Sequence, residues 1–313
     1  MKNKFYKKVC FTLLAFSLFF CEAAAVQARS PVGICSDQEW EVLKLVNKER
    51  LNKKLAPLSV MGNLQAVSDV RAAELSKEFS HIRPDGSSCF TILQGIGYNS
   101  AGENIAAGYS SSAEVMEGWM NSPGHKANIL SSKFTHLGVG YYGAAAASHH
   151  YWSQMFIGYC MPIAISIDGA GKPGTYPRGT TVEAMERLLT VTCRHGVSYL
   201  PLMDKMCSGY DRDTTGKKNI KVNYLGKSIS FKVKLTGIDI RKAKITNVKN
   251  KKYNRKAQKQ NPKVTLNGKT LVKNRDYTIS YKHNKKRGKA TMIITGKGIY
   301  SGTARRRFKI TKR

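Results

Sequence analysis

Apolar residues recur at helical spacing in the first half of the chain and at alternate positions in the second; the change of period falls soon after Cys160. Trp40, Leu43, Val46 and Leu51, with Arg50 among them, lie near a 3.6-residue repeat. Ser36, three residues before Glu39, forms a capping box ahead of them, so a helix is predicted to start there. A second helix is predicted over 58–77, burying Leu64, Val67, Ala72 and Leu75. Ser111 and Glu114 repeat the capping signature before a third helix that runs to Trp119. Ser122 followed by Pro123 marks an N-cap and first helical position for a short fourth helix through Leu130. Residues 137–142 and 151–157 read as strands joined by a mobile loop over 143–148. In the second strand Trp152, Gln154 and Phe156 alternate with Tyr151, Ser153 and Met155, as a strand does when its two faces meet different surroundings.

Beyond Cys160, Gly169 to Gly174 reads as a linker, and helical periodicity fades apart from one short amphipathic stretch, 182–189. Short β-rich runs take over at 220–224, 228–235, 264–266, 277–281, 290–295 and 307–310, and Asn267-Gly268 is a hairpin signal. Their number and spacing fit two small sandwich modules of roughly seventy residues each. At the N-terminus, Lys2, Lys4, Lys7 and Lys8 precede an apolar run, Val9 to Phe20, too short to span a bilayer; small residues at Ala25 to Ala28 follow. The expected organisation is a signal peptide over 1–28 removed on secretion, an α/β domain over 29–162, and all-β modules over 163–236 and 237–313.

Charge sharpens the expectation for partners. The chain carries a formal +32; the first 28 residues hold four Lys and one Glu, which leaves +29 for the remainder. From Gly237 to Arg313 there are 25 Lys or Arg against two acids, Asp239 and Asp276, a net +23. Such a surface attracts polyanions, and salt weakens the attraction. Residues 237–313 are therefore expected to meet an anionic cell-wall polymer or membrane surface. No sequence-specific nucleic-acid recognition motif is present, so nucleic acid would be held without sequence preference. Beyond residue 28 there are five cysteines, of which Cys193 and Cys207 lie close enough in sequence to bridge; none has the spacing of a structural zinc site.

Two imidazoles and a carboxylate stand out as candidate chemistry. His81 is read as ending the second helix, Glu103 lies in a small-residue stretch read as a turn, and His125 sits in the short fourth helix. Brought together, such groups bind a divalent metal or share a proton. The ordered blocks Asn47-Lys48-Glu49-Arg50, His81-x-Arg83-Pro84-Asp85-Gly86, Gly102-Glu103-Asn104-Ile105-Ala106, Trp119-x-x-Ser122-Pro123-Gly124-His125-x-Ala127-Asn128-Ile129-Leu130, Gly138-Val139-Gly140 and Tyr151-Trp152-x-Gln154-x-Phe156 resemble the bacterial branch of the CAP superfamily of cysteine-rich secretory, antigen 5 and pathogenesis-related proteins. The C-terminal half resembles bacterial surface Ig-like modules.

The resemblance implies an α-β-α sandwich with a cleft lined by His81, Glu103 and His125, followed by two all-β Ig-like sandwiches. A divalent metal such as zinc is the implied cofactor. The family's second acid, three residues after the cleft tryptophan, is replaced here by Ser122, with Glu117 the nearest substitute. Three functions follow as expectations: a secreted protein binding a lipid, a sterol-like molecule or a metal ion in its cleft; a metal-assisted hydrolase using the same residues; or an adhesin with a scaffold N-terminal domain. A shared fold does not choose among them.

Overall fold

The computed structural model describes residues 33–143, 150–159, 161–168, 171 and 174–312. The expected signal peptide, the centre of the loop after 143 and part of the 169–174 linker lie outside them.

The helical signals place the first four helices well. Helix α1 spans Asp37–Asn52 behind a complete Ser36–Glu39 capping box, worth about 1 kcal/mol. Helix α2 is shorter than expected, Gly62–Leu75. Leu58 to Val60 leave the helix for extended backbone because that backbone has strand partners, described below. Strand β1 is Ser100–Ala107, helix α3 is Ser112–Asn121 behind the Ser111–Glu114 box, and helix α4 is Pro123–Ile129. Ser122 is the N-cap of α4 by backbone conformation, yet its side chain makes no capping hydrogen bond. Strands β2, His136–Gly143, and β3, His150–Gly158, complete an antiparallel sheet in the order β1-β3-β2.

This sheet is the middle of three layers. Trp152 and Phe156 of β3, with Leu137 and Val139 of β2, pack under Trp40, Leu43, Val115, Trp119 and Ile129 from α1, α3 and α4. The opposite face of β3, Met155 and Ile157, packs with Leu64 of α2 and with Leu93 and Ile96. The α-β-α expectation is borne out. Two buried polar side chains tie the layers: Asn47 donates to and accepts from the Leu58 backbone at 2.8 and 2.7 Å, and Arg50 donates to the carbonyls of Ala56, Ile129 and Ser131 at 2.7–2.8 Å.

The rest of the described chain is β-rich, as expected. Strands β4 (Ala164–Ile167), β5 (Gly174–Pro177), β6 (Leu188–Cys193), β7 (Gly196–Pro201), β8 (Cys207–Ser208), β9 (Gly216–Tyr224) and β10 (Lys227–Thr236) form sheets in the orders β4-β6-β7 and β5-β10-β9-β8 around one core. The 182–189 stretch is not helical: it forms a 3-10 turn over Glu183–Met185 and then enters β6, where Leu189 and Val191 are buried. Cys207 is a thiol, pushed up to about 12 by burial, so the bridge to Cys193 is not made. A further core gathers Ile240, Val264, Tyr277, Met292 and Phe308. Its four-stranded sheet runs Lys251–Lys252, Thr303–Thr311, Gly288–Gly296, Tyr277–Lys282. The Asn267-Gly268 hairpin forms with both residues at positive φ, 49° and 76°, as a two-residue turn requires.

A two-residue segment joins the first two units. Ser59 exchanges backbone hydrogen bonds with the edge of β2, from its N–H to Thr135 at 3.1 Å and to its carbonyl from Leu137 at 3.0 Å. Val60 exchanges two bonds of 2.8 Å with Tyr199 of β7. Residues 59–60 therefore link the sheet β1-β3-β2 to the sheet β4-β6-β7 through one isolated pairing on each side. Ser198 Oγ donates to Ser59 Oγ at 2.9 Å, Leu188 and Tyr199 pack on the α/β core, and Leu51 packs on the β core.

His136 records the burial at this seam. It is 3 % exposed on β2, with Nδ1 2.8 Å from Thr135 Oγ1 and its ring edge against Tyr159. Burial lowers its pKa to about 4. Below about pH 6.5 the unfolded chain takes up a proton there that the folded chain refuses, so stability falls as pH drops from about 6.5 to about 4, by ~3 kcal/mol. Unfolding free energies from urea titrations at pH 7 and pH 4 should differ by about that much less in His136→Asn than in the wild type; an identical pH dependence would contradict the assignment.

Candidate ligand cleft

Strand β1 is the free edge of the sheet, and its sequence is rich in small residues. Ala101, Gly102 and Ala106 lack the bulk that favours strands, which is why this stretch reads as a turn. Pairing with β3 imposes the strand, with Gly102 opposite Phe156 and Glu103 opposite Met155. The close approach also needs the glycine, since a Cβ on Gly102 would stand 2.8 Å from the Phe134 ring.

A cleft of about 700 Å³ lies along this edge. His81 reaches it from the loop after α2 and His125 from α4, so the two imidazoles come from opposite layers and meet at the sheet edge. Ser122 adds a hydroxyl; Phe79, Ile105, Tyr109 and Trp119 supply apolar surface. The His125 end is held by a ladder of amides. Asn104 donates to the His125 carbonyl at 3.1 Å and to Gln154 Oε1 at 2.9 Å; Asn128 donates to the Glu103 carbonyl at 3.1 Å and to Asn104 Oδ1 at 2.9 Å. Trp119 Nε1 donates to the Ile105 carbonyl at 3.3 Å and fixes α3 against β1.

The His81 end is held by charge. Helix α2 ends at Leu75, so His81 stands on a loop and not at the helix end. Arg71, fully buried on α2, donates through Nε to Glu103 Oε1 at 2.7 Å and through a terminal nitrogen to the Ser80 carbonyl. Glu74 takes the Arg83 guanidinium through Nε at 3.1 Å and Nη2 at 2.6 Å. The resulting hydrogen bonds raise the Arg83 pKa further above its ordinary value. His81 Nδ1 lies 2.6 Å from Glu103 Oε2. A carboxylate only accepts, so Nδ1 carries a proton and donates it to Glu103. The His81 side chain is 57 % exposed, whereas that of Glu103 is 1 % exposed.

These contacts assign distinct places to the sequence candidates. His81 and His125 share the cleft; Glu103 stands behind His81 with both oxygens engaged; Glu117 is exposed on α3 and does not line the cleft. Burial and the nearby His81 lower the His125 pKa, which favours its neutral, electron-donating form. Glu103, through its contact with His81 Nδ1, orients one of the two imidazoles that line the cleft. Cys89 was not foreseen: its sulfur, His81 and Glu103 offer donor atoms within 4.8 Å of one another. A cation among those three would sit beside the Arg71 guanidinium, and burial pushes the Cys89 thiol up to about 11, so this group fits a metal poorly. Arg71 was also missed. Its sequence signal is weak but present: Gln65, Ser68 and Arg71 interleave with Leu64, Ala72 and Leu75 on the buried face of one helix.

Comparison with known proteins agrees with this architecture. Residues 43–156 match the profile of CAP, the cysteine-rich secretory protein family. The chain is 39 % identical over 127 residues to the uncharacterized protein YkwD of Bacillus subtilis, covering 39 % of this chain and 48 % of that protein. It is 32 % identical over 135 residues to the uncharacterized membrane protein YlbC of the same organism, covering 39 % and 37 %. Among solved structures it is similar to an extracellular protein containing an SCP domain from Bacillus anthracis, at 31 % identity and a TM-score of 0.36, over 39 % of this chain and 40 % of that one. The chain thus spans less than half the length of each of these relatives. Among the described residues no helix is long and apolar enough to cross a membrane.

Proposed function

With residues 43–156 forming a domain of the CAP, or cysteine-rich secretory protein, family, we propose that the chain is an exported binding protein whose cleft takes an amphipathic, lipid- or sterol-like ligand. The observation that carries this reading is the lining of the cleft. Two imidazoles and a hydroxyl face the same space as Phe79, Tyr109, Ile105 and Trp119, and Phe79 is 53 % exposed where a ligand would cover it. A small number of polar groups on apolar walls suits a ligand with one polar end. The basic residues of 237–313 would hold the protein at an anionic cell-wall or membrane surface, leaving the cleft free.

A second reading, a metal-assisted hydrolase, is favoured by the bond from His81 Nδ1 to buried Glu103 and by the lowered pKa of His125. His81 and His125 would hold the metal through ring nitrogens, and Glu103 would orient His81. Zinc would supply Lewis acidity. The residues themselves contribute a fixed imidazole orientation and a proton-accepting nitrogen at neutral pH.

Calorimetric titration of residues 29–313 with zinc, beside His81→Ala/His125→Ala, separates these readings when combined with mass spectrometry of lipid carried through purification. Co-purified lipid displaced by substitutions at Phe79 supports the first. Zinc binding weakened at least ~tenfold in the double variant supports the second. Neither result would leave the N-terminal domain as a scaffold, and the adhesin reading would stand. The longer chain is the right material, because a fragment ending at 162 lacks the Tyr199 partner of Val60.

A further inference from the structure

The last β unit carries a groove distinct from the cleft. The register of its four-stranded sheet sets Lys282 opposite Thr291 and Thr291 opposite Arg307; one step along, Ile293 stands opposite Arg305. The buried residues of these strands, Ala290, Met292, Ile294, Ala304 and Phe308, face the core, so Lys282, Arg305 and Arg307 share the outer face. With Thr291, Ile293 and Arg306 they line a groove of about 600 Å³.

Among the described residues, no ion pair reaches these cations. Both acids of 237–313 are spent on neighbours: Asp239 pairs with Arg241 at 2.7 Å and Asp276 with Arg275 at 2.9 Å. The guanidinium groups are also unevenly placed. Of eight arginines among the 25 basic residues of this segment, three are consecutive and line the groove, whereas Arg287 lies over the Tyr253 ring. A guanidinium presents a planar fork that matches two oxygens of a phosphate, where an ammonium offers a point charge. Resting on the anchoring role given to 237–313 above, we propose that this groove seats the backbone of a phosphodiester polymer without bases. Arg305 and Arg307 would fork successive phosphates, Lys282 would balance their charge from the neighbouring edge strand, and Thr291 would donate a hydroxyl between them. His283 is the one aromatic ring lining the groove, and no Phe, Tyr or Trp lines it, which speaks against the stacking of successive bases of a single-stranded nucleic acid; only Ile293 is apolar, which speaks against a lipid surface.

The test is binding of residues 29–313 to immobilised poly(glycerol phosphate) at near-physiological salt. Arg305→Gln/Arg307→Gln is compared with Lys263→Gln/Lys269→Gln, which removes the same charge from the other sheet of the unit, where both lysines are exposed. The groove variant should weaken binding at least ~tenfold and the control less than ~threefold. Equal losses would overturn the groove while leaving charge-based anchoring intact. Tighter binding to single-stranded DNA or to anionic phospholipid vesicles than to poly(glycerol phosphate) would overturn the choice of partner. No binding to any of the three probes would remove the anchoring role as well.

Discussion

Gly140→Ala is expected to destabilise the α/β domain by at least ~4 kcal/mol. The strand that carries Gly138 and Gly140 lies directly under α2. A Cβ on Gly140 would fall on the Ser68 carbonyl oxygen, far inside contact distance, and one on Gly138 would come within 2.5 Å of the Leu64 carbonyl oxygen. Both obstacles are helix backbone, which moves only if α2 lifts from the sheet. Lifting α2 would withdraw Arg71 from Glu103 and open the core around Leu64, Met155 and Ile157. For a unit of this size the midpoint of thermal unfolding should fall by about 10 °C or more. Gly124→Ala is the matched control: it lies in α4 with nothing within 4 Å of its added Cβ, and alanine suits a helix better, so its midpoint should hold or rise. A Gly140→Ala protein that melts with the wild type would contradict the packing of α2 on β2.

Arg71→Met should cost about 3–5 kcal/mol, because it leaves the Glu103 carboxylate buried with one oxygen unpaired. It also frees the Ser80 carbonyl and thus the loop that aims His81. Adding Glu103→Gln to Arg71→Met removes the stranded charge and should recover part of the loss, so the double change should cost less than the sum of the singles. Urea unfolding of the four proteins measures that coupling. If the two losses simply add, the pair contributes nothing as a pair, and the account of how His81 is held fails.

The contrast between what was and was not legible in the sequence follows the range of each interaction. Ser36 with Glu39 and Ser111 with Glu114 act over three residues, and both boxes form as read. The alternation in β3 is equally local, and its two faces do meet different layers. Glu103 was read as lying in a turn because its neighbours are small; the strand exists only through pairing with β3, some fifty residues on. The charge network escaped notice for the same reason: Arg71 meets Glu103 across 32 residues, and no spacing rule links them. His81, Glu103 and His125 stand out by residue type, and it is the ordered set of motifs that implies they line one cleft. That set says nothing of the division of labour in which one carboxylate serves Arg71 and His81 behind the cleft.

Residues 59–60 have a consequence for inheritance. The chain's likeness to YkwD extends over only 39 % of its length, yet here the CAP domain is annealed to the unit after it through Ser59, Val60 and Tyr199. Excised at residue 162, it would leave the Val60 N–H and carbonyl without their strand partner, an exposed backbone pair of the kind that invites edge pairing. The two units are thus poor candidates for independent shuffling between genes. A recombination that moved one without the other would have to cover the exposed Val60 backbone with a charge, a proline or a new strand.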